Sequence, residues 1–312
     1  MVDAAPRDRP ADGLLTLYEA AEQLGVHYMT VYRYVRTGRL PGRKVGVEWR
    51  VEPDDLAAFR AGSSNLAGGV DHRHRLVDRL VAGDERGSWS IVQSALAGGL
   101  DPDDLYLQVL SPALATIGDE WAAGRLSVGQ EHQASVVVLR LIGRLGPLFT
   151  RRGRTRGTVV LGAPKGDNHS LPSALFADLL RGVGLGVIDL GADAPPESFV
   201  DAARHAERLV AIAISVTTPD NDEAVAETVA ALRGEPAPRG EPGPRGGPEV
   251  PIVIGGGAIG SDEYARRLGS DHWVADEHAA VALFAQLADE ASRARRRSRS
   301  PAVGDDTDQT EH

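Results

Sequence analysis

The chain has 312 residues, of which 42% are hydrophobic and 25% charged, a composition typical of a soluble globular protein with two or three domains. It contains no cysteine, which excludes disulfides, zinc–cysteine sites and thiolate chemistry, so any metal must be bound by histidine or carboxylates or arrive within a cofactor. The net charge of −10 argues against a protein that coats nucleic acid everywhere, but it allows one small basic reading domain. The sequence has neither an apolar run of transmembrane length nor a signal-peptide pattern at its start, so we expect a cytoplasmic protein with no membrane partner.

Residues 14–61 have the pattern of a winged helix-turn-helix DNA-binding domain. Apolar periodicity predicts a helix that ends at Gly25 and a second helix that ends near Gly38. Ala21, Gly25 and Val31 have the spacing at which two such helices cross closely. Residues 42–51 then alternate like a hairpin, which would form the wing, and Pro53 begins a third helix. The alternative is a three-helix bundle whose arginines only face solvent.

The segment from Leu15 to Ala61 resembles the excisionase and MerR-like winged helix-turn-helix family. The resemblance implies that the second helix enters the major groove and that the basic hairpin grips the DNA backbone. We therefore expect operator double-stranded DNA as a partner, contacted by Tyr28, Thr30, Arg33, Arg36, Arg43, Lys44 and Arg50.

A linker of small residues, 62–69, precedes a predicted helical bundle over residues 71–150. The spacing of Leu107, Leu110, Leu114, Ile117 and Trp121 places Trp121 on the inward stripe at the end of its helix. Ser127 and Gln130 form a capping box that begins the next helix, on which His132, Val136, Leu139 and Gly143 share one face. Trp121, Glu131 and His132 are therefore expected at one end of the bundle. The alternative is that Trp121 caps a core and Glu131 only complements the helix dipole.

Strands alternate with helices from residue 156 to residue 293, which predicts a flavodoxin-like, doubly wound parallel sheet. The predicted strands are 158–161, 187–190, 210–215, 252–255 and 272–275, and the predicted helices are 172–181, 197–206, 222–233, 262–267 and 277–293. Residues 234–248 are predicted as a disordered insertion and residues 294–312 as a disordered tail. The fold class is thus multidomain α and α/β: a winged helix-turn-helix, a four-helix bundle and this sheet.

Three loops of the predicted sheet carry residues suited to a ligand. They are Gly166-Asp167-Asn168-His169 after the first strand, Ser215-Val216-Thr217 after the third, and Gly255-Gly256-Gly257 after the fourth. A histidine on such a loop, backed by an aspartate two residues earlier, is placed to bind a metal at the carboxyl edge of the sheet. Glycines let the backbone approach a ligand closely. The alternative for His169 is a solvated loop histidine.

Together the three loops resemble the cobalamin-binding signature Asp-x-His-x-x-Gly, Ser-x-Thr and Gly-Gly, over Arg156 to about Ala291. The resemblance implies that His169 binds the cobalt from below, that Asp167 holds its other ring nitrogen, and that the displaced nucleotide tail lies in a slot on the neighbouring loops. The slot residues implied are Ser215, Thr217, Gly255, Gly256 and Gly257. The sequence departs from the signature at its final glycine, which is Pro172 here. Because proline suits the first turn of a helix, we expect the histidine loop to be kept and the tail slot to be altered.

Trp121, followed nine residues later by Glu131 and His132, is similar to the cap of the cobalamin-dependent MerR-type regulators, the CarH/LitR photoreceptor group. This resemblance implies adenosylcobalamin as the cofactor, with the three residues around its 5′-deoxyadenosyl group, and release of DNA when light removes that group. Light-sensing members carry a histidine directly after the tryptophan, whereas this chain has Ala122, which cannot ligate a metal.

The sequence therefore predicts a transcriptional regulator rather than an enzyme: a light-responsive repressor in which adenosylcobalamin maintains a homo-oligomer, a dimer or tetramer, on operator DNA. One alternative is a corrinoid methyl carrier of a methyltransferase system, against which the helix-turn-helix argues. Another is a regulator that has lost cobalamin, which Ala122 and Pro172 leave open.

Overall fold

The computed structural model describes residues 13–24, 28–36, 40–46, 48–59, 72–151, 153–234, 250–274 and 276–299. These residues divide between two compact units, Met1–Leu141 and Ile142–His312. The first unit contains the helix-turn-helix segment and most of the helical bundle, and the second contains the sheet. Among the described residues, no helix combines the length and the apolar character needed to cross a bilayer.

The first unit begins with the elements β1 (Leu15–Thr16), α1 (Leu17–Leu24), α2 (Tyr28–Arg36), β2 (Arg43–Val45) and β3 (Glu48–Val51), followed by helix α3 over residues 53–59. A reciprocal cap begins α1, because the Glu19 N–H donates to Thr16 Oγ1 (3.0 Å) and the Thr16 N–H donates to Glu19 Oε2 (2.7 Å). The predicted helices and hairpin are present, and β1 joins the hairpin in the antiparallel order β1-β3-β2. Gly25 and Gly38, where the helices were predicted to end, lie outside the described residues.

The bundle has four helical rods. They are α4 (His72–Val81), α5 (Glu85–Ala97), α6 (Pro102–Leu105) continued through a π-helical turn (Tyr106–Leu110) into α7 (Ser111–Ala122), and α8 (Val128–Leu145). The predicted capping box begins α8: the Ser127 N–H donates to Gln130 Oε1 (3.0 Å), and the Gln130 N–H donates to Ser127 Oγ (3.3 Å).

The prediction that Trp121 lies on an inward stripe is wrong, since its side chain is 46% exposed. Leu110 and Ile117 of the predicted stripe are buried, and so are Tyr106, Val109 and Ala113, which the sequence pattern did not select. Residues 122–125 are exposed as well, so the last turn of α7 extends beyond the bundle core.

The second unit alternates strands and helices. In chain order they are β4 (Thr158–Gly162), α9 (Leu171–Gly182), β5 (Gly186–Asp189), α10 (Pro196–His205), β6 (Leu209–Ser215), α11 (Asp222–Arg233), β7 (Ile252–Gly255), α12 (Asp262–Arg267), β8 (His272–Trp273) and α13 (Glu277–Arg299). The strands are all parallel, in the order β5-β4-β6-β7-β8. This order confirms the flavodoxin-like sheet and places the topological switch point between β4 and β6, where ligands bind in such sheets.

Helices cover both faces of the sheet. On one face, Leu180 of α9 and Phe284 and Leu287 of α13 are buried against the strands. On the other face, Phe199 of α10, Val225 of α11 and Ala265 of α12 form a second core. The central strands β4, β6 and β7 therefore bury both of their faces, as the near-continuous apolar sequence of β6 requires.

The prediction that the chain is disordered from residue 294 is wrong for its first residues. Helix α13 continues to Arg299, so residues 294–299 are helical rather than disordered. Arginine and alanine are good helix formers, and this local preference outweighs the low-complexity composition on which the prediction rested. Residues 235–248 of the predicted insertion and residues 300–312 of the tail lie outside the described residues.

Candidate functional site

The loops that follow β4 and β6 meet at the switch point. The two strands are adjacent and parallel, with Gly162 opposite Ile214 near their carboxyl ends. The first loop carries Asp167 and His169, and the second begins at Ser215. The predicted juxtaposition of these two loops is therefore present.

Asp167 is fully buried and connects the two loops. Its Oδ1 accepts a hydrogen bond from the His169 N–H (3.1 Å) and lies 2.8 Å from His169 Nδ1. Its Oδ2 accepts hydrogen bonds from the N–H groups of Thr217 (2.6 Å) and Thr218 (3.0 Å). One carboxylate thus sets the position of the histidine and of the neighbouring loop at the same time.

The charge of Asp167 determines which nitrogen of His169 is free. Burial on its own raises the pKa of Asp167, but hydrogen bonds from the backbone of Thr218 and Thr217 and from His169 outweigh it and hold the pKa below its ordinary value. An ionised Asp167 accepts the Nδ1 hydrogen of His169, which assigns the free lone pair to Nε2. The His169 side chain is 49% exposed while Asp167 is not exposed at all, so the imidazole is anchored at one end and open at the other.

Contacts on both sides fix the backbone of the histidine loop. The Gly166 N–H donates to Asp193 Oδ1 (2.7 Å), and the Asp193 N–H donates to the Asp167 carbonyl (2.8 Å). Asn221 Nδ2 donates to the Lys165 carbonyl (3.1 Å) from the opposite side. Sequence reasoning missed Thr218, Asp193 and Asn221, because backbone N–H donors and loop-to-loop contacts leave no spacing signal.

A cavity of about 480 Å³ opens beside these loops. The carboxyl ends of β6 and β7 contribute Ser215 and the three predicted glycines, and α9 contributes Pro172 and Ser173. Gly256 has φ +108°, and a Cβ there would lie 2.3 Å from the Val216 carbonyl oxygen, so only glycine fits. A Cβ on Gly257 would meet nothing within 4 Å, and one on Gly255 would lie 3.6 Å from Val274. The glycine run therefore has one position that the backbone requires and one that borders open space.

Pro172 and Thr217 differ in what they contribute to this site. Pro172 is in the first turn of α9, as expected, and lines the cavity. Thr217 is not part of the cavity lining, and its contribution is the N–H that binds Asp167. Thr217 therefore supports the histidine loop rather than the slot.

The predicted bundle residues lie on either side of the turn between α7 and α8, with Trp121 in the last turn of α7 and Glu131 and His132 in the first turns of α8. Glu131 Oε2 is 2.6 Å from His132 Nδ1, and Ser135 Oγ donates to Glu131 Oε1 (2.6 Å). Trp121, at the end of α7, is exposed. Helix α8 presents an exposed face, hereafter the α8 face, that consists of Val128, His132, Val136 and Leu139. An apolar face of this kind is suited to covering a ligand or a partner.

The predicted DNA-contacting residues divide into four groups, of which Arg50 forms the last. Arg43 and Lys44 are exposed on β2; Arg43 is 3.5 Å from Glu52 and Lys44 lies over the Trp49 ring. Tyr28 is half-buried and stacks on Tyr18 with ring centroids 4.3 Å apart. The side chains of Thr30, Arg33 and Arg36 lie outside the described ones, although their backbone belongs to α2.

Arg50 does not present its charge as predicted. Its side chain is only 14% exposed, and Nε and Nη1 are buried with no hydrogen-bond partner in the part of the chain that the structure describes. Nη2 contacts Glu48 (2.8 Å). Arg50 is on β3, the central strand of the small sheet, and its low exposure leaves little of its charge available to a DNA backbone.

Three successive parts of the chain match known protein families. Residues 14–64 match a helix-turn-helix domain family. Residues 72–145 and residues 157–284 match two families that are each described as a B12 binding domain. The chain therefore combines a helix-turn-helix domain with two B12-binding domains.

Several relatives are corrinoid proteins. Trimethylamine corrinoid protein 1 of Methanosarcina mazei is 27% identical over 201 residues, covering 62% of this chain and 86% of that protein. The dimethylamine corrinoid protein of Methanosarcina barkeri is 24% identical and covers 68% of this chain and 95% of its own length. The structure of the monomethylamine corrinoid protein of Methanosarcina barkeri matches with a TM-score of 0.55 at 21% identity, over 69% of this chain and 95% of that one, and so has the same fold.

The described residues fit a corrinoid. They contain no group of three or more His, Asp or Glu side chains placed to hold a metal ion by themselves. A corrin already supplies the equatorial ligands of its cobalt, so one anchored imidazole is enough to add a lower ligand. The cavity beside Gly256 leaves room for the remainder of such a molecule.

Proposed function

We propose that this protein is a corrinoid-dependent transcriptional regulator. Its second unit binds a corrinoid through His169, and its helix-turn-helix domain binds operator double-stranded DNA. The observation that carries the proposal is that an aspartate-anchored histidine at a B12-type switch point occurs in the same chain as a helix-turn-helix domain. In this role the protein is a switch and not an enzyme.

In the proposed site, His169 Nε2 would bind the cobalt, and Asp167 would orient the ring through its contact with Nδ1. A carboxylate in this position makes the imidazole a better electron donor, as it does at other metal sites. Ser215 and the glycine run border the space for the nucleotide tail. Asp193 and Asn221 hold the backbone of the histidine loop at Gly166 and Lys165.

On the sequence resemblance, we also propose that bundle residues surround the upper ligand of the corrinoid. Trp121 offers an exposed aromatic plane, Glu131 a hydrogen-bond acceptor, and the α8 face an apolar cover. These groups suit an adenosyl ligand better than a methyl ligand, which favours adenosylcobalamin. An adenosyl corrinoid supplies a cobalt–carbon bond that light breaks. We therefore propose that light releases the DNA and changes the oligomer, a dimer or tetramer, and that the protein acts as a repressor.

A second candidate is supported by the relatives. The corrinoid proteins that match this chain are named for methylamines, which favours a methyl carrier that serves a methyltransferase. The helix-turn-helix match at residues 14–64 distinguishes the two candidates, because a methyl carrier has no use for a DNA reader.

One experiment separates them. The full chain is loaded with adenosylcobalamin in darkness, and its absorption spectrum, oligomeric state and affinity for DNA fragments selected from a random pool are measured before and after illumination. A regulator shows a histidine-ligated spectrum, which His169→Ala removes, together with DNA binding that depends on the cofactor and falls in light. DNA binding that ignores the cofactor in both conditions would contradict the regulator, and acceptance of methyl groups from a methyltransferase would then favour the carrier.

A further inference from the structure

A buried serine that lines the cavity has no hydrogen-bond partner for its hydroxyl among the described residues. Ser173, in the first turn of α9, is fully buried, and its Oγ has no hydrogen-bond partner among the described residues. The same residue lines the 480 Å³ cavity. Buried hydroxyls are nearly always hydrogen-bonded, so one that borders a cavity marks the place of a polar ligand atom.

The helix itself does not satisfy this hydroxyl. Other hydroxyls on helices of this chain bond to a carbonyl one turn earlier: Thr116 donates to Pro112 (2.9 Å) and Thr228 donates to Ala224 (2.8 Å). Ser173 makes no such bond, because the residue four positions earlier is His169, in the loop before α9. The hydroxyl is therefore left available to the cavity.

The surroundings of Ser173 suit a flat ring. Phe176 and Phe284 line the cavity from the helices, and Gly256 and Gly257 line it from the end of β7. Aromatic side chains opposite bare backbone make a slot that accepts a planar group. The corrin macrocycle with its amide side chains is too large for a cavity of about 480 Å³, so the planar group of a corrinoid that fits it is the base of the nucleotide tail.

We propose that the Ser173 hydroxyl hydrogen-bonds the nucleotide tail, at its nitrogen-containing base, and that the protein thereby selects corrinoids with such a tail. The inference rests on the proposed corrinoid binding and adds the class of corrinoid that is bound. It assigns Ser173 as a specificity-determining residue, while His169 remains the metal ligand.

The test compares two ligands and two serines in the full chain, in darkness. The ligands are adenosylcobalamin and adenosylcobinamide, which lacks the nucleotide. The variants are Ser173→Ala and Ser88→Ala; Ser88 is also fully buried with an unpartnered Oγ, but it is in α5 of the bundle and does not line this cavity. Each Kd is measured by absorbance titration.

We expect Ser173→Ala to raise the Kd for adenosylcobalamin about three- to tenfold, the worth of one hydrogen bond, and to leave the Kd for adenosylcobinamide unchanged. Ser88→Ala should leave both unchanged. The histidine-ligated spectrum should persist in both variants. A cobamide whose lower ring is a cresol without ring nitrogen should bind both the wild type and Ser173→Ala with nearly equal affinity.

Other outcomes overturn the inference. An equal loss for both ligands would mean that Ser173 only shapes the histidine loop, and an unchanged Kd for adenosylcobalamin would mean that its hydroxyl binds water alone. If the wild type bound neither corrinoid, the proposed function would fall and this inference with it. Wild-type binding with an insensitive Ser173→Ala overturns only the role of Ser173.

Discussion

The hydroxyl of Tyr34 donates a hydrogen bond of 3.0 Å to Oδ2 of Asp104. Tyr34 is on α2, the helix proposed to read DNA, and Asp104 is on α6 of the bundle. Both residues are buried, and Asp104 Oδ1 also accepts a hydrogen bond from Gln108 (3.2 Å). A buried carboxylate of the bundle is thus a direct partner of the candidate recognition helix.

Removal of this donor should destabilise the first unit. Tyr34→Phe leaves the ring in place but deprives Asp104 of one hydrogen bond, and a hydrogen bond to a buried charged group is worth roughly 1–3 kcal/mol. Urea unfolding measures the change. Tyr18→Phe, on an exposed side chain of α1, is the matched control and should have no effect. Equal effects of the two changes would show that the contact contributes nothing.

Loss of the Asp167 carboxylate should weaken corrinoid binding without removing the metal ligand. Asp167→Ala frees the His169 ring to rotate and leaves the N–H groups of Thr217 and Thr218 without their acceptor. Losses at such supporting residues typically reduce metal affinity by about 10- to 100-fold. Absorbance titration gives the affinity. Asp189→Ala, which removes an exposed carboxylate that caps its own turn, is the control and should bind as the wild type does.

Neighbouring glycines should respond differently to alanine. Gly256→Ala forces a strained φ, which costs roughly 1–3 kcal/mol, and adds a clash with the Val216 backbone. Gly257→Ala should be tolerated, because its Cβ meets nothing within 4 Å. Thermal unfolding of both variants checks the difference. Similar melting temperatures would mean that the turn after β7 adopts another conformation.

The different exposure of two basic residues on the small sheet leads to opposite predictions for DNA binding. Lys44→Ala should weaken binding to all DNA sequences, because an exposed lysine on the hairpin suits a phosphate contact. It should also reduce by about one the slope of log K against log salt concentration. Arg50→Ala should change the salt dependence little, since its guanidinium is mostly buried. Titrations of DNA at several salt concentrations distinguish them. A larger salt effect for Arg50→Ala would mean that this side chain turns outward on DNA.

Trp121 should determine the preference for the upper ligand. Trp121→Ala should remove most of the preference for adenosylcobalamin over methylcobalamin, because the exposed indole is the proposed stacking plane. The ratio of the two dissociation constants, measured in darkness, gives the preference. Tyr18→Ala removes another exposed aromatic side chain, on α1, and should keep the ratio. A wild type without any preference would exclude an adenosyl site at this end of the bundle.

The repeating elements were predictable from sequence because their signal is local. Helices α11 and α12 and strand β7 begin and end where the apolar periodicity places them. The side-chain positions that differ depend on packing. Apolar periodicity gives neither the end of the bundle core, beyond which Trp121 is exposed, nor the degree to which the Arg50 side chain is covered.

The candidate site was predictable only in part for the same reason. Asp167, His169 and Gly256 follow recognisable spacings. Thr218 contributes a backbone N–H, which every residue but proline has, and Ser173 is distinguished only by the partner that it lacks. Neither property can be deduced from the identity of the residue.

The Asp167 carboxylate also has a kinetic consequence. Because its four hydrogen-bond contacts are all made within the protein, the carboxylate can hold the histidine loop without contacts from a ligand. Little conformational entropy would then be lost from this loop on binding. Ordering of the histidine loop should therefore not limit the rate at which a corrinoid associates.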